Sequence, residues 1–489
     1  MKRPRPFEGH YALMLTIALA ALVPYILLTT AADFYGQNVT KDIGIDAQGL
    51  AIIAGIATAG YCFGALLGGD LINRIHQHRL FMACEALFVV GALLSGFAGG
   101  LVMYGTGRVL SGFATGLLLV VALPPVIQNF PASRMPFSAA FINIGFFGAV
   151  TAGPLIGGVV AATGLWRWLY FAFALIGGIA IVLSVLTLPK QEPVNPDLPF
   201  DRSALILGLG ATVLPFWGAE ELTGHGFTSP WFLAPMGCGL VCFAAMLLTE
   251  YHKKEPLAPV KQVVSTFPFV GILVAMSGGG VLVALLGLAT QFRLEVTGLS
   301  PLETGLSFWP QVVAVVIAAV LVAFVLRTRY LPVLILCGMV LLVAAGVLEA
   351  SRSTDGGTAM PLIVAGLLGL GAGTTVAPGL FLAGFSLPSK VIGRLFALIE
   401  LVRSVVNFVL APVVLKIARL VSDGQGLTAG GLQLATWLTV GMTILAIAVG
   451  LGIYLAGTRR LPHPDLEAWL GQGKTAVNSP ELGARWRSG

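Results

Sequence analysis

Fourteen apolar stretches run through this 489-residue chain, each 17 to 26 residues long and each bounded by charged residues, glycine or proline. No other feature limits its possible folds so severely. About 20 apolar residues in a helix cross the roughly 30 Å hydrocarbon core of a bilayer. In lipid every backbone N–H and C=O must be satisfied within the protein, which helices achieve. The expected fold class is therefore an all-α polytopic membrane protein. Only 10% of residues are charged, against about 25% in an ordinary soluble domain. That excludes a water-soluble enzyme, a disordered chain and a nucleic-acid binder, even though the net charge is +6. Lys and Arg collect instead beside spanning helices, on the cytoplasmic side.

Two polar breaks, Pro189 to Arg202 and Glu250 to Lys261, group the runs as six, two and six. The expected organisation is a six-helix bundle over 1–188, two linker helices with their loops over 189–261, a second six-helix bundle over 262–456, and a cytoplasmic tail over 457–489. With the N-terminus inside, 20 of the 28 basic residues fall on the cytoplasmic side. The outside loops hold Lys41, Arg167, Arg293, Arg352, Lys416 and Arg419. Arg108 and Arg403 lie within spans. This asymmetry follows the positive-inside rule and puts both termini in the cytoplasm of a bacterial-type inner membrane. The basic start and the long first run, 11–32, read as an uncleaved first helix. A repeat supports the count: Leu110 to Gly116 resembles Leu367 to Gly373 at an offset of 257. Paired six-helix halves are a transporter architecture.

Glycines four apart, Gly112 with Gly116 and Gly369 with Gly373, each share a helix face and let backbones approach closely. Gly153, Pro154, Gly157 and Gly158 make a bendable segment with a bare face, suited to sealing and opening a pathway. Ionisable side chains inside spans are costly and mark functional candidates. Glu85 sits about five residues into the third run, where it either lines a cavity or snorkels to the inner surface. Glu400 and Arg403 are three apart on the thirteenth run, with Asn407 one turn further along. Asp33 ends the first run, and Glu220 and Glu221 are expected as solvated loop acids. Asn143 and Gln311, with Asn407, are candidate neutral substrate contacts. All five cysteines lie in apolar stretches and suggest no metal site, and Cys238 with Cys242, four apart, read as small buried residues.

At this point the chain resembles the major facilitator superfamily, specifically its fourteen-helix drug:proton antiporter branch. The GPxxGG element at Gly153 to Gly158 is similar to the antiporter motif on the fifth helix, and Arg108 to Gly112 to the RxxxG core on the fourth. Trp166-Arg167-Trp168 resembles the signature before the sixth helix, and Gly298-Leu-Ser-Pro-Leu-Glu-Thr-Gly305 the loop before the tenth. The resemblance implies a major-facilitator fold of two bundles with two extra helices between them. It also implies that Arg108 takes part in proton coupling or cavity electrostatics. In the family the loop between the second and third helices is a charge-relay latch. Here it holds Gly69, Asp70, Asn73 and Arg74, with Asn73 in place of an aspartate, so the latch is weaker unless Asp70 substitutes. His76 and His78 read as solvated loop residues. The branch's first-helix aspartate aligns with Leu28.

The function expected from these features is proton-coupled export of small amphipathic or lipophilic compounds by alternating access. No phosphate loop or hydrophilic segment could house an ATPase, so a proton gradient is the energy source and no cofactor is expected. Partners are a small-molecule substrate, protons and the bilayer, with a monomer sufficient. The alternative is a dedicated exporter, or a proton-coupled importer, of one neutral or anionic metabolite or lipid. Two intramembrane arginines and the missing acid at Leu28 suit it. A membrane enzyme or a non-transporting scaffold is the third reading. No GxSxG element or paired metal ligands support the enzyme, and a scaffold has no use for Arg108.

Overall fold

The computed structural model describes residues 7, 9–189, 193, 200–253, 256–352, 357, 359–389, 392–422 and 426–487, without the side chains of residues 128, 392, 407, 408, 486 and 487. Asn407 therefore lies outside the described side chains. The described residues form fourteen helices long and apolar enough to cross a membrane: α1 (Tyr11–Ile43), α2 (Ala47–Leu71), α3 (Gln77–Gly96), α4 (Leu101–Ile127), α5 (Ala132–Thr163), α6 (Trp166–Thr187), α7 (Arg202–Glu221), α8 (Pro230–His252), α9 (Thr266–Val296), α10 (Pro301–Val325), α11 (Leu331–Ala350), α12 (Ala359–Phe385), α13 (Gly393–Val421) and α14 (Ala429–Gly457). The fold is all-helical and polytopic, as the apolar runs require.

Two compact units emerge. Unit 1 comprises residues 1–130, 163–260 and 392–401, and unit 2 comprises residues 131–162, 261–391 and 402–489. Thus α5 packs among the helices of the C-terminal half, and the first turns of α13 pack with α2 and α4. Many large apolar side chains face outward, among them Val241, Leu248, Phe324 and Leu445. Water would penalise such a surface, whereas lipid tails accept it. Of the five cysteines, Cys62 and Cys84 are buried, but Cys238 and Cys337 are exposed. The expectation of buried thiols at Cys238 and Cys242 fails, since Cys238 is exposed and Cys242 half-buried, because an apolar run has a lipid face as well as a packed one.

The repeat glycines play matching parts in the two units. A Cβ on Gly112 would strike the carbonyl oxygen of Ala57, and one on Gly116 that of Tyr61, both on α2. A Cβ on Gly369 would strike the Gln311 carbonyl, and one on Gly373 would stand 2.6 Å from Ala318 Cβ, both on α10. The fourth helix of each half is thus pressed against the second, and no side chain fits between them.

The loop signatures also resolve into local physics. Gly298 has φ 65°, a left-handed turn that favours glycine. Ser300 then caps α10 in a reciprocal capping box with Glu303, and Pro301 fills the first helical position. In the Trp-Arg-Trp element, Trp166 is fully buried and donates to Asp42 Oδ2 at 2.8 Å. Arg167 lies 4.3 Å over the Trp166 ring and donates to the Gly96 and Ala98 carbonyls beyond α3. Trp168 points outward, 66% exposed.

Three expectations about span ends need correction. Helix α1 continues past Asp33 for ten residues to Ile43, about 15 Å of rise, so Asp33 is interior to the helix. Its last turn is held where Trp166 binds Asp42. Helix α9 carries Arg293 inward through a π-helical turn, Phe292–Val296, instead of releasing it to a loop. Finally, the tail, which reads in sequence as a short interfacial helix around Trp469 with a disordered remainder, packs against the ends of α9 and α12 instead. Helix α15 (Leu466–Gln472) buries Trp469 to 1%, its indole donating to Leu387 O at 2.8 Å and packing edge-on against Phe385. Beyond it, Val477 N–H donates to Phe385 O, while Ser479 and Pro480 accept the Phe267 and Thr266 N–H groups that open α9. These backbone groups would otherwise be unsatisfied at two helix ends, which is why the tail docks.

Candidate functional site

In unit 1 the polar centre is built around Arg108. Gly112 lies one turn beyond it on the same face of α4, and the bare backbone there admits Tyr25 of α1, whose hydroxyl would be 2.7 Å from any Cβ. The Tyr25 ring thereby comes under the guanidinium, 5.8 Å from its centroid. The RxxxG spacing is a device for placing a cation on an aromatic face, worth about 2 kcal/mol when desolvated. Tyr104 and Tyr170 share a hydrogen bond at 3.0 Å, and Tyr35 reaches Tyr170 at 3.4 Å. These tyrosines and Tyr25 surround Arg108 electrostatically. Arg108 is 4% exposed, and its Nη1 has no hydrogen-bond partner among the described residues.

Two carboxylates complete this centre. Asp33 is exposed on α1 yet within electrostatic reach of Arg108. Glu220 of α7 interacts with Asp33 and lies against α2, where a Cβ on Gly55 would stand 2.6 Å from Glu220 Cγ. The expectation of solvated acids at Glu220 and Glu221 is overturned, because α7 runs two residues further than its apolar stretch, 203–219, and takes both acids into the helix. Glu221 is 5% exposed and accepts from Trp217 Nε1 at 2.8 Å and Gln48 Nε2 at 3.1 Å, with His225 Nδ1 3.0 Å away. The first of the two extra helices therefore contributes an acid to the centre. Nothing in the sequence gave that away except the adjacency of two acids to an apolar run.

Glu85 is fully buried, neither carboxyl oxygen has a hydrogen-bond partner among the described residues, and its Oε1 faces Gly177 of α6. It does not snorkel. An ionised carboxylate in that setting would cost several kcal/mol.

In the α2–α3 loop, Arg74 grips Asp70 bidentately at 2.7 and 2.8 Å and lies 5.0 Å over the Phe200 ring. Asn73 Nδ2 donates to Gly69 O at 3.0 Å, and Gly69 packs against Ala397 of α13. Asp70 thus supplies the carboxylate that Asn73 lacks. His78 is buried at the start of α3, contrary to its expected solvation, because the helix begins at Gln77 and turns that residue inward.

In unit 2, Gly153, Pro154, Gly157 and Gly158 are all buried. A Cβ on Gly158 would be 2.7 Å from Pro301 O, 3.2 Å from Gly305 Cα and 3.3 Å from Leu302 Cα. The GPxxGG element and the GLSPLxxG element, separate in sequence, are two faces of one α5–α10 contact. Nearby, Asn143 Nδ2 donates to Gly373 O at 2.9 Å, while its Oδ1 and the whole Gln311 amide lack partners among the described residues. Both side chains are fully buried. On α13, Glu400 is buried and Arg403 half-buried.

Comparison with known proteins gives a consistent picture. The sequence pattern of the Major Facilitator Superfamily matches residues 11–411. An uncharacterised MFS-type transporter, YubD, of Bacillus subtilis (strain 168) is 23% identical over 55% of this chain and 53% of its own length. The multidrug export protein EmrB of Haemophilus influenzae is 24% identical over 53% of this chain and 51% of its own. The tetracenomycin C resistance and export protein of Streptomyces glaucescens is 25% identical over 76% and 68%. The chain thus spans about half the length of the first two relatives. Among solved structures, the proton:xylose symporter XylE shares the fold with a TM-score of 0.63 at 12% identity, over 91% of this chain and 96% of that one.

Proposed function

Because the chain belongs to the Major Facilitator Superfamily, we propose that this transporter exports small amphipathic or lipophilic compounds in exchange for protons, by alternating access. The observation that carries the reading is the Asp33–Arg108–Glu220 centre. Asp33 is exposed on α1 and feels the Arg108 guanidinium, which has no ion-pair partner among the described residues. Taking up or releasing a proton at Asp33 or Glu220 changes the charge facing Arg108. A conformational equilibrium that weighs that charge differently in its two states is thereby coupled to the proton gradient. The α5–α10 contact is the element that seals and opens. Relatives named for multidrug and antibiotic export support the direction of transport.

The proposal extends to a multi-pass protein of the bacterial-type cytoplasmic membrane. Both termini are inside, one copy is sufficient, and no cofactor is needed beyond the proton gradient. The second reading, a dedicated exporter of a single neutral or anionic metabolite or lipid, draws on the uncompensated charge of Arg108. The test is a substrate panel in everted vesicles, following collapse of the pH gradient. Lipophilic cations that collapse it support multidrug exchange, anions alone favour the dedicated exporter, and no response to any compound sinks proton exchange.

A further inference from the structure

A second group of buried charges lies in unit 2, far in sequence from Arg108, at the C-terminal ends of α9 and α11. Arg293, Glu349 and Arg352 are exposed by 0%, 4% and 5%. Arg293 interacts electrostatically with both of the others. Arg352 Nη1 is 3.3 Å from Glu349 Oε1. The planes of both guanidinium groups are taken by aromatic rings: Arg293 lies 4.1 Å over Phe308, and Arg352 4.7 Å over Phe292. Their N–H edges are another matter. Arg293 Nη2 donates to Pro361 O at 3.2 Å, but its Nε and Nη1 have no partner. Arg352 Nε and Glu349 Oε2 are likewise without one among the described residues.

The arrangement is held rather than incidental. The π-helical turn Phe292–Val296 carries Arg293 inward from the end of α9, and Thr297 closes that turn onto the Phe292 and Arg293 carbonyls. Gln433 of α14 donates to the Arg352 carbonyl at 2.7 Å. Among the described residues, the other acids on the adjoining segments, Glu295 and Glu303, are exposed, and Glu303 is engaged in the α10 capping box.

Charge points to what is missing. Two guanidinium groups cannot shed their protons, and among the described residues one carboxylate, Glu349, is buried against them, which leaves one positive charge in excess. An uncompensated buried charge costs several kcal/mol, and unmade hydrogen bonds from charged donors add to it. We propose that Arg293 and Arg352, with Glu349 neutralising one of their two charges, form a binding site for a small monovalent anion, either an inorganic halide or the carboxylate of a small organic acid. The ligand takes the in-plane N–H edges that the aromatic rings leave free. This site is distinct from the Arg108 centre, and its test needs no transport activity.

The experiment is thermal unfolding of the purified full-length protein in detergent, followed by tryptophan fluorescence. Sodium chloride, or in a second arm sodium acetate, replaces sodium methanesulfonate, which is neither a halide nor a carboxylate, at constant sodium. Tm should rise and saturate, because an anion bound only by the folded state stabilises it by mass action. A lower half-saturating concentration for chloride assigns the site to a halide, and one for acetate to a carboxylate. Arg293→Gln should raise the half-saturating concentration at least about tenfold, the effect of one lost charge-assisted hydrogen bond. Glu349→Gln retains both cations, removes the competing negative charge and should lower it. That variant decides the matter if Arg293→Gln fails to fold. A wild-type Tm indifferent to both anions, or a Glu349→Gln half-point equal to the wild type's, overturns the proposal.

Discussion

Consider Gly158→Ala. The added methyl would stand 2.7 Å from the Pro301 carbonyl oxygen, about 0.7 Å short of the 3.4 Å at which ordinary contact begins. The other obstacles, Gly305 Cα and Leu302 Cα, are also backbone. No side chain can rotate away, so α5 and α10 must move apart. Overpacking of this kind costs roughly 1–3 kcal/mol, offset by the gain of about 1 kcal/mol when alanine replaces a helical glycine. Because every obstacle is backbone the cost falls at the upper end of that range, so the net is about 2 kcal/mol, which opens the α5–α10 contact roughly 30-fold more often. Gly441→Ala is the control, since nothing lies within 4 Å of a Cβ there and only the helical gain remains. Hydrogen exchange of the full-length protein reads the contact directly. In Gly158→Ala the segments around residues 152–160 and 298–306 should exchange faster by that factor, with Gly441→Ala unchanged. Equal exchange in Gly158→Ala and the wild type would refute the argument that these two motifs form one tight helix contact.

Three further outcomes follow from the geometry. Arg108→Ala should fold but lose substrate-driven proton movement in proteoliposomes, whereas full activity would remove Arg108 from coupling. Glu85→Gln keeps the side chain's shape, and burial disfavours an ionised carboxylate there, so its Tm should match the wild type's. A fall of several degrees would mean the carboxylate is charged. Outside the spans, Lys253 Nζ bridges both Asp201 oxygens and Glu250. Burial alone pushes the Asp201 carboxyl up, but hydrogen bonds from Lys253, the Ala204 N–H and the Ser203 hydroxyl outweigh it and hold it below the ordinary value. A lowered carboxyl stabilises the fold above its unfolded pKa, and that contribution is lost as pH falls below about 4. Asp201→Asn should therefore lower Tm at about pH 6, with the gap to the wild type closing in acid; a gap that persists would contradict the assignment.

The fourteen spans were legible because apolar length is a direct consequence of lipid thickness. The glycine repeat was legible too, since close backbone approach leaves only one residue type that fits. What misled was charge at span ends. Asp33, Arg293 and Glu220 each look like punctuation, yet α1, α9 and α7 carry them inward, where Arg108, the Phe308 ring and the α2 backbone receive them. Such receptors come from distant segments and leave no local trace. Glu349 was passed over inside an apolar run for the same reason, its partner Arg352 having been assigned to a loop. The Trp469 contact is the converse case: one amphipathic turn reads equally as a membrane-surface helix or as a packed one. Only the free carbonyl of Leu387, more than 80 residues away in sequence, decides between them.

That tail contact bears on how the chain is made. Thr266 and Phe267 open α9, but the groups that accept their amide hydrogens, Pro480 and Ser479, are synthesised more than 200 residues later. The start of α9 and the end of α12 therefore stay unfinished until residues 477–480 have been made. Proteolytic clipping between α14 and Val477 spares the fourteen described spans and still removes these contacts.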